Sequence, residues 1–301
     1  MSRTTRLIAP LAAVSLLALA GCASGSDAAS GDAALGSEER PVKLGVVGAS
    51  DPYWETYEEA AEADGIALEI VDFTEYSQPN PALTEGDLDI NQFQHILFLA
   101  QYNEESGEDL QPIGATAIYP LGLYSDKYDS PEDIPDGETV LVPDDATNLA
   151  RGLLVLQEAG LVTLEDGGSA YSTPEDIIED SSRVTVETVA ADLTLTSLPD
   201  VAASIANNDY VTKAGLDPES AIAVDSASDE SALPYVNVFA VRSEDADNEV
   251  LQRLVEIYQT NQEVQDGVLE VSGGTAVLAD TPADELQASL ADTQEAFAAS
   301  K

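Results

Sequence analysis

The stretch DFTEYSQPNPALTEGDLDINQFQHILF (Asp72–Phe98) decides the fold and points to a site. Its start closes an apolar run, Ile66 to Phe73, with the length and composition of a buried strand. Pro79 and Pro81 then interrupt regular structure and leave Tyr76 in a loop; a short helix from Asn80 to Glu85 follows, ended by Gly86. A short strand around Leu88 to Ile90 finishes just before Phe93, and a helix from Gln92 to Ser106 is ended by Gly107. His95, the only histidine, falls two residues after Phe93 and three before Phe98. Tyr76, Phe93, His95 and Phe98 thus gather beyond the carboxyl ends of neighbouring strands, where open α/β sheets bind their ligands. A ring cluster there suits a compact apolar group such as a thioether, because sulfur packs well against aromatic edges.

Outward from this stretch, strands and helices alternate. Val42 to Ala49 reads as a buried parallel strand, and Asp51 with Pro52 as the N-cap and first turn of a helix that Gly65 closes. Ile113 to Tyr119 is again strand-like, so the first half predicts a parallel sheet covered by helices. The pattern restarts beyond Tyr124. Ser130 to Gly137 is rich in turn residues, Thr139 to Pro143 is a strand, and Asp144 to Gly160 is a capped amphipathic helix. Strands at Val184–Val189 and Val201–Ile205, a helix from Ala206 to Ala214 and a strand at Val236–Val241 follow. A helix from Asn248 to about Asp266, ended by Gly267, and another from Ala283 to Ala299 complete the chain. No internal repeat is evident. Two α/β halves with chain crossings near Leu121 and Leu233 describe a two-lobed α/β fold with a ligand cleft between the lobes.

Several segments carry a resemblance to a known family. YSQPNPALTEGDLDINQFQH is similar to the Y-x-x-P-N-x-A-L-x-x-G-x-[IL]-D-x-N-x-F-Q-H segment of NlpA/MetQ-family lipoproteins, the methionine-binding proteins of ABC importers. YPLGLYSDKY, VPDDATNLARGLLVLQEAGL, NNDYVTKAGLDP and LPYVNVFAVR continue it in order over roughly Val42 to Arg242. Long gapped matches in series are far more specific than one short motif. The resemblance implies a two-lobed fold like that of periplasmic binding proteins (type II-like), with lobe 1 formed by residues 42–122 plus 233–301 and lobe 2 by residues 123–232. It also implies methionine as ligand, an ABC permease and its ATPase as partners, and no cofactor. Another small amino acid or a methionine-containing dipeptide in the same cleft is the alternative. A tethered lipoprotein that binds another protein is the reading from a different class.

The ends bound the class independently. Arg3 and Arg6, the apolar run Leu7–Ala20 and the closing Leu19-Ala20-Gly21-Cys22 read as a lipoprotein signal peptide over residues 1–21. The run is too short for a membrane span. A lipobox needs a thiol at the cleavage position because the diacylglycerol is joined through a thioether, so Cys22 is the expected lipid attachment. It is the only cysteine, which excludes an internal disulfide. Residues 22–41, rich in Gly, Ala, Ser and acid, read as a flexible tether reaching on the order of 25 Å. The chain is expected on the extracytoplasmic side of a cell membrane, anchored without crossing it. With 57 Asp plus Glu against 11 Lys plus Arg, and a formal charge of −46, it lacks the basic surface that nucleic acids require. Asp87, Asp89 and Asn91 imitate the start of a calcium loop. Gln92 and Phe98 occupy the positions where an EF-hand needs Gly and Glu, so no metal is expected there.

Arg151 is the candidate for gripping a carboxylate. It lies between Leu149 and Leu153 in the first turns of a helix, close to the apolar face, where a guanidinium can make two parallel hydrogen bonds and the helix N-terminus adds free N–H groups. The ordinary alternative is an ion pair with a nearby acid such as Asp144 or Asp145. The resemblance aligns Arg151 with the family's carboxylate-binding arginine. It likewise aligns Asn207 and Asn237 with contacts to the amino-acid backbone, and Tyr76, Phe93 and His95 with the side-chain pocket. Two departures stand out: Phe98 falls where many members have tyrosine, and Asn207-Asn208-Asp209-Tyr210 places Asp209 where the family often has a second asparagine. Isolated asparagines more commonly form turns and caps, and a histidine opening a helix more commonly caps it. An enzyme reading finds little to build on. There is no G-x-S-x-G, no phosphate-binding P-loop, and one histidine cannot form a His-rich metal site.

Overall fold

The computed structural model describes residues 33–225 and 230–300. The expected signal peptide, Cys22 and the first part of the expected tether lie outside the described residues. In chain order the elements are β1 (Val42–Val47), α1 (Tyr53–Ala63), β2 (Leu68–Phe73), α2 (Pro79–Thr84), β3 (Ile90–His95) and α3 (Ile96–Ser106). Then come β4 (Leu110–Ala115), β5 (Ala117–Ile118), β6 (Gly122–Tyr124), β7 (Thr139–Pro143), α4 (Ala146–Glu158), β8 (Thr185–Val189) and β9 (Ala203–Ala206). Last are α5 (Asn208–Lys213), β10 (Ala223–Val224), β11 (Asn237–Arg242), α6 (Glu249–Thr260), α7 (Gln262–Val271), β12 (Val277–Leu278) and α8 (Ala283–Ser300).

Two five-stranded sheets result, ordered β2-β1-β3-β11-β4 and β10-β6-β9-β7-β8. The expected parallel sheet is in fact mixed. β1 pairs in parallel with β2 and β3, but β11 returns from late in the chain and inserts antiparallel between β3 and β4. One face of this sheet packs through Val42, Leu44 and Phe239 on Trp54, Tyr57, Leu254 and Tyr258 of α1 and α6. The other face packs through Val238 and Ala240 on Leu83, Ile96, Leu99, Leu286 and Leu290 of α2, α3 and α8. The second sheet buries Val140, Val142 and Ile205 against Leu149, Leu153 and Leu156 of α4. Burial on both faces explains the near-continuous apolar runs of β1 and β7.

Several boundaries differ from the sequence expectation for local reasons. β3 runs on through Phe93 to His95, so α3 begins at Ile96 and not at Gln92. Gln92 and Gln94, expected in the first turn of that helix, are buried strand residues: Gln92 Nε2 donates to Thr116 Oγ1 at 3.1 Å and Gln94 Nε2 to Asn80 Oδ1 at 2.6 Å. Pro79 does not exclude helix; it opens α2 as its first residue, where its missing N–H costs nothing. Asp51 does not cap α1, whose cap position falls on Pro52 without a side-chain bond. Gly267 does not end a helix. The break falls at Asn261, whose Oδ1 caps α7 by accepting from Glu263 N at 2.9 Å and Val264 N at 3.2 Å. Gly267 lies within α7 because a Cβ there would sit 2.7 Å from Tyr53 Cβ, so its absence lets α7 approach α1. The tether also ends earlier than residue 41. Leu35 packs on the first core, and Gly36 takes a hydrogen bond from Ala67 N at 2.7 Å and donates to Arg40 O at 2.8 Å.

Candidate functional site

Where the two sheets meet, a fourth apolar cluster draws on both: Tyr76 and Phe93 from the first half of the chain, Tyr124, Ala206, Tyr210 and Val211 from the second. A pocket of about 440 Å³, mouth included, opens beside it. All seven residues expected at the site, Tyr76, Phe93, His95, Phe98, Arg151, Asn207 and Asn237, line this pocket. The four rings come together as anticipated. Tyr76 lies 5.9 Å from Phe93 and 6.2 Å from Phe98, centroid to centroid, and Phe98 meets Phe93 edge-on at 5.7 Å. Tyr210 and Tyr235, which the sequence did not single out, extend the wall at 5.0 Å from Tyr76 and 5.5 Å from His95.

His95 is both the cap and the pocket residue that its sequence position left open. Its Nδ1 accepts the Phe98 N–H at 3.1 Å, capping α3, and this assigns the proton of the neutral ring to Nε2. Nε2 faces Asn148 Oδ1 at 3.4 Å. Burial first, and the Arg151 charge second, push the His95 pKa down to about 3, so the ring is neutral through the physiological range. Asn148 organises the opposite wall. Asp145 caps α4 by accepting from Asn148 N at 2.9 Å, and its carboxylate also accepts from Asn148 Nδ2 at 3.0 and 3.1 Å. That leaves Asn148 Oδ1 to accept from Asn207 Nδ2 at 3.0 Å. No sequence signal marked Asn148 as the bridge, since its partners lie 53 and 59 residues away.

Arg151 is buried, and its ion-pair partner is neither Asp144 nor Asp145. Nε donates to Asp225 Oδ2 at 2.5 Å, Nη2 to the Tyr119 carbonyl at 2.9 Å, and the guanidinium carbon lies 4.5 Å above the Tyr235 ring. Asp225 Oδ1 meanwhile accepts from Leu121 N at 2.8 Å, so the fork is aimed by groups beside both chain crossings. The α4 terminus is less open than expected, because Asp145 occupies the Asn148 N–H. Asn207 stands at the cap position of α5 without capping it, and its buried Oδ1 has no hydrogen-bond partner among the described residues. Asn237 opens β11 opposite His95 in register. The site thus joins a fixed cation, amides and an aromatic wall.

The family model for NlpA lipoprotein matches residues 42–279. The chain belongs to the NlpA lipoprotein family. Among similar proteins is the probable D-methionine-binding lipoprotein MetQ of Pasteurella multocida (strain Pm70), 36% identical over 275 residues, which span 90% of this chain and 98% of the relative. Protein PG110 from Staphylococcus aureus superposes with a TM-score of 0.79 at 34% identity, covering 84% of this chain and 99% of that one. A nutrient binding protein from Burkholderia cenocepacia bound to methionine does so with a TM-score of 0.73 at 34% identity, covering 79% and 99%. This NlpA-family chain therefore has the two-lobed α/β fold of a substrate-binding protein, and several of its relatives bear the names of binding proteins. No helix among the described residues is long and apolar enough to cross a membrane.

Proposed function

We propose that this chain is a lipid-anchored solute-binding protein that captures methionine and hands it to an ABC permease and its ATPase. The observation that carries the reading is the buried, immobilised Arg151 guanidinium facing the same pocket as the Tyr76, Phe93, His95 and Phe98 rings. The guanidinium receives the carboxylate and leaves Asn207 and Asn237 for the remaining polar atoms, while the thioether lies among the rings. A neutral His95 suits that last role, since a charged imidazolium would keep water in the apolar end. Residues 42–122 with 233–301 form one lobe in this reading and residues 123–232 the other, so closure traps the ligand.

The test is calorimetry on ligand-stripped protein with each amino acid in turn. Methionine binds most tightly, and Phe93→Ala weakens methionine by roughly ten-fold or more while hardly changing alanine, because it removes packing worth about 1.5–3 kcal/mol and leaves the polar grip. Preference for another amino acid or for a methionine-containing dipeptide would retain the grip and discard methionine. Stabilisation by no small molecule would favour the protein-binding reading.

Anchoring at Cys22 on the extracytoplasmic face rests on the lipobox Leu19-Ala20-Gly21-Cys22 and on the family. Intact-mass analysis should find a chain beginning at Cys22 with a diacylglyceryl adduct, and Cys22→Ser should leave the membrane fraction or stay unprocessed. An unmodified wild-type chain starting elsewhere would end that assignment.

A further inference from the structure

Arg151 is not the only ionisable group on the pocket wall. Asp209, near the start of α5, lines the same pocket. The two opposite charges are not paired with each other: Arg151 is held by Asp225, whereas Asp209 Oδ2 accepts the Tyr76 hydroxyl at 2.7 Å. A pocket with a fixed cation on one helix, a carboxyl on another and a buried amide oxygen without a partner among the described residues, Asn207 Oδ1, two residues before that carboxyl has the charge layout of a zwitterion.

Resting on the amino-acid reading above, we propose that Asp209 is a specificity-determining residue whose carboxylate, together with Asn207 Oδ1, receives the α-ammonium of the ligand. An asparagine at this position would accept the Tyr76 hydroxyl equally well, but it would offer the ammonium a dipole in place of a charge. The aspartate therefore demands an amino group that a neutral wall would only tolerate.

The environment of Asp209 turns this preference into a pH dependence. Six titratable side chains act on its charge, Tyr76 by direct hydrogen bond and the others through the field. Tyr76 comes from the loop before α2, Asp51 from the turn before α1 and Tyr53 from its first residue, Tyr119 from the crossing, Tyr210 from α5 and Tyr258 from α6. None of them is a cation. Burial raises the Asp209 pKa to about 7; Asp51 adds to the rise and the Tyr76 hydrogen bond opposes it. Asp51 itself is raised to about 6, by burial and then by Asp72. The free protein consequently holds Asp209 largely protonated in mild acid, and an arriving ammonium must displace that proton. Affinity for an amino acid rises with pH up to about 7 and levels off above it. The slope approaches ten-fold per pH unit on the acid side.

The experiment measures methionine binding to stripped wild type and to Asp209→Asn at pH 5.5, 7 and 8. In parallel it measures 4-(methylthio)butanoate, which keeps the thioether and carboxylate and lacks the amino group. Wild type is expected to bind methionine roughly ten-fold or more tightly at pH 8 than at pH 5.5. The desamino analogue gains nothing over that range, and Asp209→Asn is flat for both. A wild-type methionine affinity that does not change with pH overturns the proposal, as does the same rise in Asp209→Asn. Should Asp209→Asn fail to fold by its melting curve, the contrast between the two ligands on wild type decides alone. An equal rise for the desamino compound then sinks the assignment. If stripped wild type binds no amino acid at any of these pH values, the amino-acid reading falls and takes the role of Asp209 with it. Pure pH independence with tight methionine binding removes Asp209 only.

Discussion

Replacing Arg151 by alanine is expected to reduce methionine affinity by about 30-fold to several thousand-fold, nearly abolishing binding of every amino acid that wild type accepts. Removing one partner of a buried charge pair typically costs roughly 2–5 kcal/mol, at about 1.4 kcal/mol per factor of ten. The upper half of that range applies if the ligand carboxylate is dry on all sides, and the walls favour this: Arg151 is 5% exposed and His95 is 5% exposed. Arg151→Lys is expected to rescue little. A lysine ammonium cannot reproduce the separate Nε and Nη2 bonds to Asp225 and Tyr119 O that aim the fork while the guanidinium carbon sits over the Tyr235 ring. The alanine variant also leaves Asp225 without its cation, so melting temperature must be recorded beside the calorimetry. A folded Arg151→Ala protein that binds methionine as tightly as wild type would show that the pocket is not the site.

Part of this arrangement was legible in the sequence because its signals are local. Val42–Val47, Thr139–Pro143 and the helix after Asp144 are short apolar runs with turn or cap residues at their ends, and the structure has them within a few residues. The aromatic wall was legible because two of its members flank the lone histidine. What could not be read is whatever depends on partners far along the chain. Asp225 is one of 57 acidic residues, and nothing in its own neighbourhood marks it as the group that orients Arg151, 74 residues earlier. β11 inserts between β3 and β4, and α6 and α8, which pack on its two faces, come after it in the chain. The extension of β3 through Gln92 and Gln94 contradicts the usual exposure of glutamine, and only the buried partners of those amides make it affordable. The same non-local satisfaction underlies Asn148, whose role as a bridge became visible only with Asn207 and His95 beside it.

Those buried amides carry the second large effect. Asn80, Asn91 and Gln94 are each at most 2% exposed, and among the described residues their side chains bond only to one another. Asn80 is the hub. Its Nδ2 donates to Gln94 Oε1 at 2.7 Å, and its Oδ1 accepts from Asn91 Nδ2 at 2.9 Å and from Gln94 Nε2 at 2.6 Å. Asn80→Ala removes all three bonds and strands polar atoms where water does not reach, each at about 1–3 kcal/mol, although Gln94 Nε2 keeps its bond to Asn91 Oδ1 at 3.0 Å. The expected loss is therefore on the order of 3 kcal/mol, a fall in melting temperature of roughly 6–12 °C for a chain of this size. Asn80→Leu should be no better, since it adds an apolar side chain beside the same stranded amides. The network also ties α2 to β3, and so joins the segment carrying Tyr76 to the strand carrying Phe93 and His95. Methionine affinity should consequently weaken in Asn80→Ala although Asn80 is not among the residues lining the pocket. Thermal melts with and without saturating methionine separate the two consequences. An unchanged melting temperature would mean that the amides re-pair after the truncation. A large drop with unchanged affinity would mean that the network supports the core alone and does not set the spacing of the aromatic wall.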